Sequence, residues 1–238
     1  MESKIAKHIC LKNHPVAVLR ADNKPEQAIA FKEGKWGCVV ALIKAAFQGK
    51  IAAAAKDTTV CMGGRAGLGF QGYEHGWIEY FLSTGNDKTL HSEFYKKTPE
   101  LAKIFMESIP KVDAPACLVF KPLDLVGEDE KPECIIFLVN ADQLSGLTTL
   151  ANYDRVSQNN VQVNFASGCG QVVLYPLAAE EKGEKTCYIG MTDLSARKVI
   201  SKELMSFSIP YCRFVEMEQE ADGCFFATDT WETIKKRI

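Results

Sequence analysis

The amino-acid sequence predicts an α/β fold in which a layered mixed sheet is flanked by helices. Short runs of β-branched residues alternate along the 238 residues with segments of helical periodicity. Hydrophobic residues make up 47% of the chain and charged residues 24%, so a core can form without disulfide or metal support. No apolar run is long enough for a transmembrane helix, and residues 1–20 lack the apolar stretch of a signal peptide.

The first half of the chain begins with a helix and a strand. Ile5 and Ile9 lie four residues apart and favour a helix over residues 2–13. An unbroken apolar run at residues 38–47 predicts a buried helix that Gly49 ends. The remaining predictions are strands at 15–20, 51–55 and 58–60, a glycine-rich loop at 63–76, and either helix or strand at 77–82.

Helix-start signals organise the second half. Thr98 before Pro99 predicts the N-cap of a helix that runs through residue 109. Asp193 predicts the start of a helix at 194–202, and Asp229 with Glu232 predicts a capping box for the last helix. The remaining predictions are strands at 118–120, 135–139, 161–165 and 187–190, and a helix at 143–156.

These elements predict a single α/β domain over residues 1–238. Residues 15–64 and 134–170 share an order of strand, helix, strand and a cysteine beside glycine, which would fit two similar intertwined halves. Such echoes also arise by chance in α/β proteins, and we favour that simpler explanation. The net charge of −2 and the absence of a basic stripe argue against nucleic-acid binding.

The chain contains nine cysteines, which in a protein expected in the cytoplasm indicate metal ligation or buried thiols. Cys38 precedes the apolar helix, where the helix dipole favours thiolate. Cys61 and Cys169 each follow a predicted strand, and ligands of α/β sheets collect at the carboxyl ends of strands. We predict that these three thiols meet and hold an iron–sulfur cluster or, as a weaker alternative, zinc. The other cysteines are predicted to be core residues.

Glycines beside two of these cysteines would complete such a site. The backbone amides of Gly63, Gly64, Gly168 and Gly170 are placed to donate hydrogen bonds to anionic sulfur. Arg65 is a candidate ligand for a phosphate or carboxylate, although an exposed loop arginine is the simpler explanation. Because the chain has no Cys-x-x-Cys pair, an alternative in which all these thiols are core residues stays open.

Other motifs carry less information. Gly67, Gly69 and Gly72 form G-x-G-x-x-G, but no clean helix opens after them, so we do not predict dinucleotide binding. The chain has no P-loop, no histidine pair at metal spacing and no nucleophile elbow. His75 lies nearest the glycine loop and is a candidate proton donor, with a surface position as the simpler explanation.

Nearly the whole chain resembles the domain of unknown function 169 family of archaea and bacteria. The matching segments are PVAVLR, FKEGKWGCVVALIKAAFQGK, CMGGRAGLGF, KTPELAKIF, VFKPL, DQLSGLTTLANY, GCG and GMTDLSARK. The resemblance implies a cytoplasmic protein of a type common in anaerobes, with no agreed activity. It also implies a bound cofactor, because the recurring family cysteines fall on Cys38, Cys61 and Cys169. Many relatives carry a longer glycine run where this chain has Met62 and Arg65, which would narrow ligand access.

These observations favour a protein that holds a four-iron, four-sulfur cluster (4Fe-4S) and leaves one iron open to a ligand. Such a site would suit redox or small-molecule chemistry with a small molecule or a redox partner, and without a membrane. The alternative is a non-redox module in which the glycine loop and Arg65 bind a small anion. A third hypothesis is a subunit that acts only through a partner. The reaction, enzymatic activity and a homo-oligomeric state stay open.

Overall fold

The structure, a computed structural model, describes residues 1–70, 75–87, 91–113 and 115–238. The chain divides into two compact units. The larger unit is formed by Met1–Phe70 and Val112–Ile238, and the smaller by Gln71–Lys111. A sheet flanked by helices in the larger unit confirms the predicted α/β class. Whether the whole chain acts as one domain stays a prediction, and Gly72 lies outside the described residues.

The described strands form one seven-stranded sheet. They are β1 (Val16–Ala21), β2 (Ala52–Ala55), β3 (Cys117–Pro122), β4 (Cys134–Val139), β5 (Val161–Gln162), β6 (Cys187–Gly190) and β7 (Met205–Pro210). Their order in the sheet is β2-β3-β1-β4-β7-β6-β5, and the paired strands are antiparallel except for β5 and β6. The sheet is therefore mixed, as predicted. In a mostly antiparallel sheet the carboxyl ends of the strands do not share one edge, so the argument that placed Cys61 and Cys169 together at such an edge does not hold.

Helices surround the sheet in the larger unit, and two more lie in the smaller unit. The larger unit contains α1 (Lys4–His8), α2 (Val39–Phe47), α3 (Met62–Gly67), α6 (Ala141–Asn152), α7 (Tyr175–Lys182), α8 (Leu194–Arg197), α9 (Tyr211–Glu220), α10 (Asp229–Lys235), a π-helix (Gly170–Leu174) and 3₁₀ turns at Leu123–Leu125, Ala221–Gly223 and Phe225–Ala227. The smaller unit contains α4 (Ile78–Leu82) and α5 (Pro99–Ser108). Within the described ranges, no helix has the length and apolar character needed to cross a membrane.

Capping side chains explain where the helices begin. The Thr98 side chain accepts a hydrogen bond from the Leu101 amide, so the predicted start of α5 is confirmed. Asn140 and Gln143 form a capping box that starts α6 at residue 141, two residues before the predicted start. The capping box predicted at Asp229 is wrong, because the residue before it, Thr228, caps α10.

Four other predicted elements differ from the structure, and one of them is the helix predicted at 194–202, which spans only Leu194–Arg197. Residues 58–60 form a turn and no strand, because both the amide and the hydroxyl of Thr59 bind the Ala55 carbonyl. The strand predicted at 161–165 is only two residues long. The first helix stops at residue 8 instead of 13, since Cys10 adopts a left-handed backbone with φ of 49°.

Successive side chains of each strand point to opposite faces of the sheet, so the sheet has two core layers. The layer that we call the α9 face contains α1, α6, α9 and α10, and its large side chains are Phe137, Phe207, Phe214, Phe226 and Trp231. The layer that we call the α2 face contains α2, the C-terminal end of α3 and the π-helix, and its residues are smaller on average. The two similar segments, 15–64 and 134–170, place α2 and α6 on opposite faces, and a repeat relation between them stays a prediction.

The smaller unit packs its two helices around aromatic contacts. The rings of Trp77 and Phe81 stack with their centroids 4.9 Å apart, and Lys96 lies over the Phe105 ring at 4.5 Å. The ambiguous segment at 77–82 is a helix. In this unit the exposed His75 donates a hydrogen bond from Nδ1 at 2.8 Å to the buried Glu79 carboxylate. Burial raises the pKa of Glu79, but this hydrogen bond and those from backbone amides lower it below its usual value.

Candidate functional site

Cys38 lies at the N-cap position of α2 and is half-buried. The two valines that follow it touch both of the other predicted cysteine segments. A Cβ added to Gly64 would lie 2.7 Å from Val39 Cγ2, and one added to Gly168 would lie 3.5 Å from Val40 Cγ2. The start of α2 therefore packs against the residues beside Cys61 and beside Cys169.

Cys61 is the half-buried N-cap residue of α3. The predicted glycine-rich loop at 63–76 is thus wrong over its first residues, which are helical through Gly67. The Cys61 side chain makes no capping hydrogen bond to α3, although the Gly64 and Gly63 amides lie near enough to its sulfur to favour the thiolate. Burial raises the pKa of the Cys61 thiol and outweighs these two amides, which lower it.

The turn that carries Cys169 docks on α3 through its polar atoms. Cys169 Sγ donates to the Gly63 carbonyl at 3.3 Å, and Ser167 Oγ donates to the same carbonyl at 3.1 Å. A Cβ added to Gly67 would lie 2.6 Å from the Gly170 nitrogen and 2.9 Å from Cys169 Sγ. Gly67 therefore permits the close approach of α3 and the π-helix, which gives this glycine a packing role in place of dinucleotide binding.

The three thiols influence one another electrostatically. Burial is the main cause that raises the pKa of Cys169, which is 5% exposed, to about 12; the hydrogen bond with Ser167 lowers it, and the neighbouring Cys61, Cys38 and Asp193 contribute to the rise. Ionisation of one thiol therefore disfavours ionisation of the next. A bound cation would reverse this effect, because thiolate is the metal-binding form.

The three cysteine segments pack together, but their thiols are not arranged as ligands of one ion. Residues 1–70, 75–87, 91–113 and 115–238 contain no group of three or more His, Cys, Asp or Glu side chains that could hold a metal. Cys169 Sγ faces the Gly63 carbonyl, so ligation would require rotation of this side chain to another staggered position. The donor chemistry of three thiols suits iron–sulfur or zinc, whereas the observed side-chain positions are those of protonated thiols.

Two of the predicted amide donors already have protein acceptors. The Gly168 amide donates to Asp193 Oδ2 at 2.8 Å, and the Gly170 amide donates to Ser167 Oγ at 3.2 Å. Neither amide donates to sulfur in this structure. Arg65 is half-buried in α3 and donates from Nη1 to the Thr59 carbonyl at 3.4 Å, so it is not the exposed loop arginine of the simpler explanation.

Three residues of this region were missed from the sequence. Asp193 was predicted as a helix-start residue, and its carboxylate does accept from the Ser195 amide at 3.0 Å. It also reaches Gly168, a contact across 25 positions that no local pattern reveals. Ser167 directly precedes Gly168-Cys169-Gly170, and Gln171 directly follows it. Their position on either side of this motif is the sequence feature from which a role for both could have been predicted.

All nine cysteines are free, as predicted for a chain without a disulfide framework. Most of those outside the candidate site are buried, which agrees with the prediction of core thiols; these are Cys117, Cys134, Cys187 and Cys224. Cys10 and Cys212 are half-buried.

Together, the fold and this region define an α/β protein in which three cysteine segments converge on one face of a mixed sheet. The chain belongs to the domain of unknown function 169 family, described as uncharacterised ArCR, whose profile matches residues 4–220. The match confirms the resemblance seen in the sequence, and the description names no activity. Comparison with curated proteins and with solved structures gives no match.

Proposed function

We propose that the protein is an iron–sulfur protein whose Cys38, Cys61 and Cys169 hold a four-iron, four-sulfur cluster. The observation that supports this proposal is the packing of three cysteine segments, distant in sequence, at the starts of α2, α3 and the π-helix. Three thiols beside backbone amide donors match the chemistry of such clusters. Nine free thiols also fit a reducing compartment, and we place the protein in the cytoplasm.

When bound, the cluster would supply electron transfer and, at an iron without a cysteine ligand, a site for a small molecule. The residues around it would hold it and adjust its charge. The Gly63 and Gly64 amides, which lower the pKa of Cys61, would stabilise negative charge on sulfur. The apolar Val39 and Val40 would exclude water from one side.

Cluster assembly would be coupled to loss of protons. The Cys169 thiol must leave the Gly63 carbonyl and give up a proton that burial holds strongly. Assembly in this site should therefore become faster as the pH rises, because the thiolate fraction of each ligand rises.

Elemental analysis of anaerobically purified and reconstituted protein tests the proposal. We expect brown protein with roughly four iron and four sulfide per chain. If protein purified from cells grown with both metals contains zinc and no iron, the cluster proposal is wrong and a three-cysteine zinc site is favoured. Colourless, metal-free protein after reconstitution, with all nine thiols still titratable, would refute both.

The non-redox alternative has less support from the described residues. Arg65 uses Nη1 on the Thr59 carbonyl, and Gly63, Gly64 and Gly67 lie inside a helix instead of an open loop. A thermal-shift series with phosphate and nucleotides distinguishes it from the cluster proposal. Stabilisation that depends on Arg65 and is unchanged in Cys61→Ala would favour the anion-binding module.

A further inference from the structure

Two turns lock together beside Cys169. The first spans residues 167–171, and the second spans residues 190–193, between β6 and α8. Gln171 Oε1 accepts from the Thr192 amide at 3.0 Å, while Gln171 Nε2 donates to Thr192 Oγ1 and, at 2.9 Å, to the Asn164 carbonyl. In the reverse direction, Asp193 Oδ2 accepts from the Gly168 amide at 2.8 Å. The two turns thus hold each other by side chains from both sides.

The second turn has a backbone that its surroundings must hold in place. Met191 is buried and has a φ of 62°, a left-handed conformation that is strained for a residue with a Cβ. Gly190, before it, has no room for a side chain, because an added Cβ would lie 2.7 Å from Ser206 Oγ and 3.1 Å from Gln171 Cβ. Strain of this kind persists where neighbouring contacts fix the conformation.

Asp193 does more than cap a helix. Capping α8, which has only four residues, needs one carboxylate oxygen, and Oδ1 meets that need by accepting from the Ser195 amide at 3.0 Å. The second oxygen accepts from the Gly168 amide, next to Cys169, and also from Ser195 Oγ at 2.8 Å, and Asp193 is only 8% exposed. The Asp193 carboxylate therefore lies beside the Cys169 segment, and its negative charge adds to the effect of burial in raising the pKa of Cys61 and Cys169.

We propose that Asp193 is a positioning residue that fixes the Cys169 turn through the Gly168 amide, and that its negative charge keeps the reduction potential of the cluster low. The positioning role stands on hydrogen bonds of the metal-free protein. The effect on the potential rests on the proposed function, since it requires a bound cluster.

Alkylation of the metal-free protein tests the positioning role. In Asp193→Ala we expect Cys169 to react with iodoacetamide about tenfold faster or more, because the turn loses a charge-assisted hydrogen bond from a buried amide. Peptide mapping separates Cys169 from the half-buried Cys61, whose rate should change much less. Asp229→Asn, which removes a first-turn charge of α10 and leaves Asp193 and its partners unchanged, is the control.

Asp193→Asn is the conservative variant that distinguishes position from charge. Its single amide oxygen can accept from Gly168 when the NH2 group takes the position that faces Ser195, so Cys169 alkylation should return part of the way toward the unmodified rate while the charge is absent. In reconstituted protein the same variant should raise the midpoint potential of the cluster, and Asp229→Asn should leave it unchanged. Equal alkylation in all variants, with circular dichroism showing folded protein, would overturn the positioning role.

The two parts of the inference fail separately. If no cluster can be reconstituted, the proposed function and the charge effect both fail, while the alkylation rates still decide the positioning role. If a cluster forms and Asp193→Asn leaves its midpoint potential unchanged, the charge effect is wrong and the proposed function is unaffected.

Discussion

Cys169 and Cys187 are both buried, and burial raises the pKa of each to about 12, yet they lie in different surroundings. Cys187 belongs to the α9 face, and its sulfur lies 4.0 Å from Met217 Sδ among apolar side chains. Cys169 belongs to the α2 face and contacts a backbone carbonyl and a serine hydroxyl beside three glycines. A strongly raised pKa therefore does not mark a site by itself, and polar partners with close backbone approach are the better signal.

The two faces also differ in how their buried polar groups are paired. On the α9 face, Arg213 is 1% exposed and donates to Asp154 and Glu216 at 2.9 Å each. On the α2 face, the hydroxyls of Ser206 and Ser208 are fully buried without a hydrogen-bond partner. The Arg213 side chain is paired with two carboxylates, as expected of a structural core, whereas buried hydroxyls without a partner, such as those of Ser206 and Ser208, are typical of a functional region.

The largest expected difference between the faces is in metal content. Cys169→Ala should reduce the iron of reconstituted protein from roughly four per chain to background, because a cluster held by three cysteines loses a ligand. Cys187→Ala is the matched control from the α9 face and should keep its iron. Equal loss of iron in both variants would show that the distinction between the two cysteines is wrong.

The next largest effect concerns the ion pairs of the α9 face. Arg213→Ala should lower the free energy of unfolding by about 3–5 kcal/mol, because Asp154 and Glu216 lose their buried partner. Urea denaturation measures this loss, and iron binding by the remaining folded protein should be unchanged. A loss in the free energy of unfolding below about 1 kcal/mol would show that these ion pairs contribute no more than exposed surface pairs do.

A smaller effect is expected from the glycine that lets α3 approach the π-helix. Gly67→Ala should destabilise the protein by about 1–3 kcal/mol, because the added methyl group meets the Gly170 backbone and Cys169 Sγ. Gly223→Ala is the control, since an added Cβ there meets nothing within 4 Å. Similar melting temperatures for both variants would contradict the close packing described for the α2 face.

The smallest effect is a pH dependence that the two faces should share. Because the folded pKa of Cys169 and of Cys187 lies above the ordinary value of 9.0, the folded state keeps these protons while the unfolded chain loses them. Stability is therefore fully present below pH 9 and should fall as the pH rises toward 12.

Each of these cysteines should contribute up to about 1.4 kcal/mol per pH unit in that window. Replacing either one by alanine should reduce the slope by a similar amount in urea titrations from pH 8 to 10. A slope that is the same in both variants and in the unmodified protein would contradict the burial of these thiols.

Local sequence signals predicted most elements of this fold. The strands at Cys117–Pro122, Cys134–Val139 and Cys187–Gly190 contain the predicted apolar runs, and the cap at Thr98 is where the sequence indicated it. The errors lie where local preference and tertiary contacts disagree. The glycines of α3 predicted a loop, but packing of Gly64 and Gly67 against α2 and the π-helix favours a helix there.

By itself, the sequence determined the alternation of helices and strands, the reduced cysteines and the family, because periodicity, composition and motifs are local properties of the chain. Only the tertiary structure decided that the segments of Cys38, Cys61 and Cys169 pack together and that Asp193 holds Gly168. Contacts between residues far apart in the chain depend on how the strands pair and how the helices pack on both faces of the sheet. The sheet is mostly antiparallel with one parallel pair, and no single segment of the sequence predicts that pairing. The position of each thiol relative to the others is therefore a property of the folded protein.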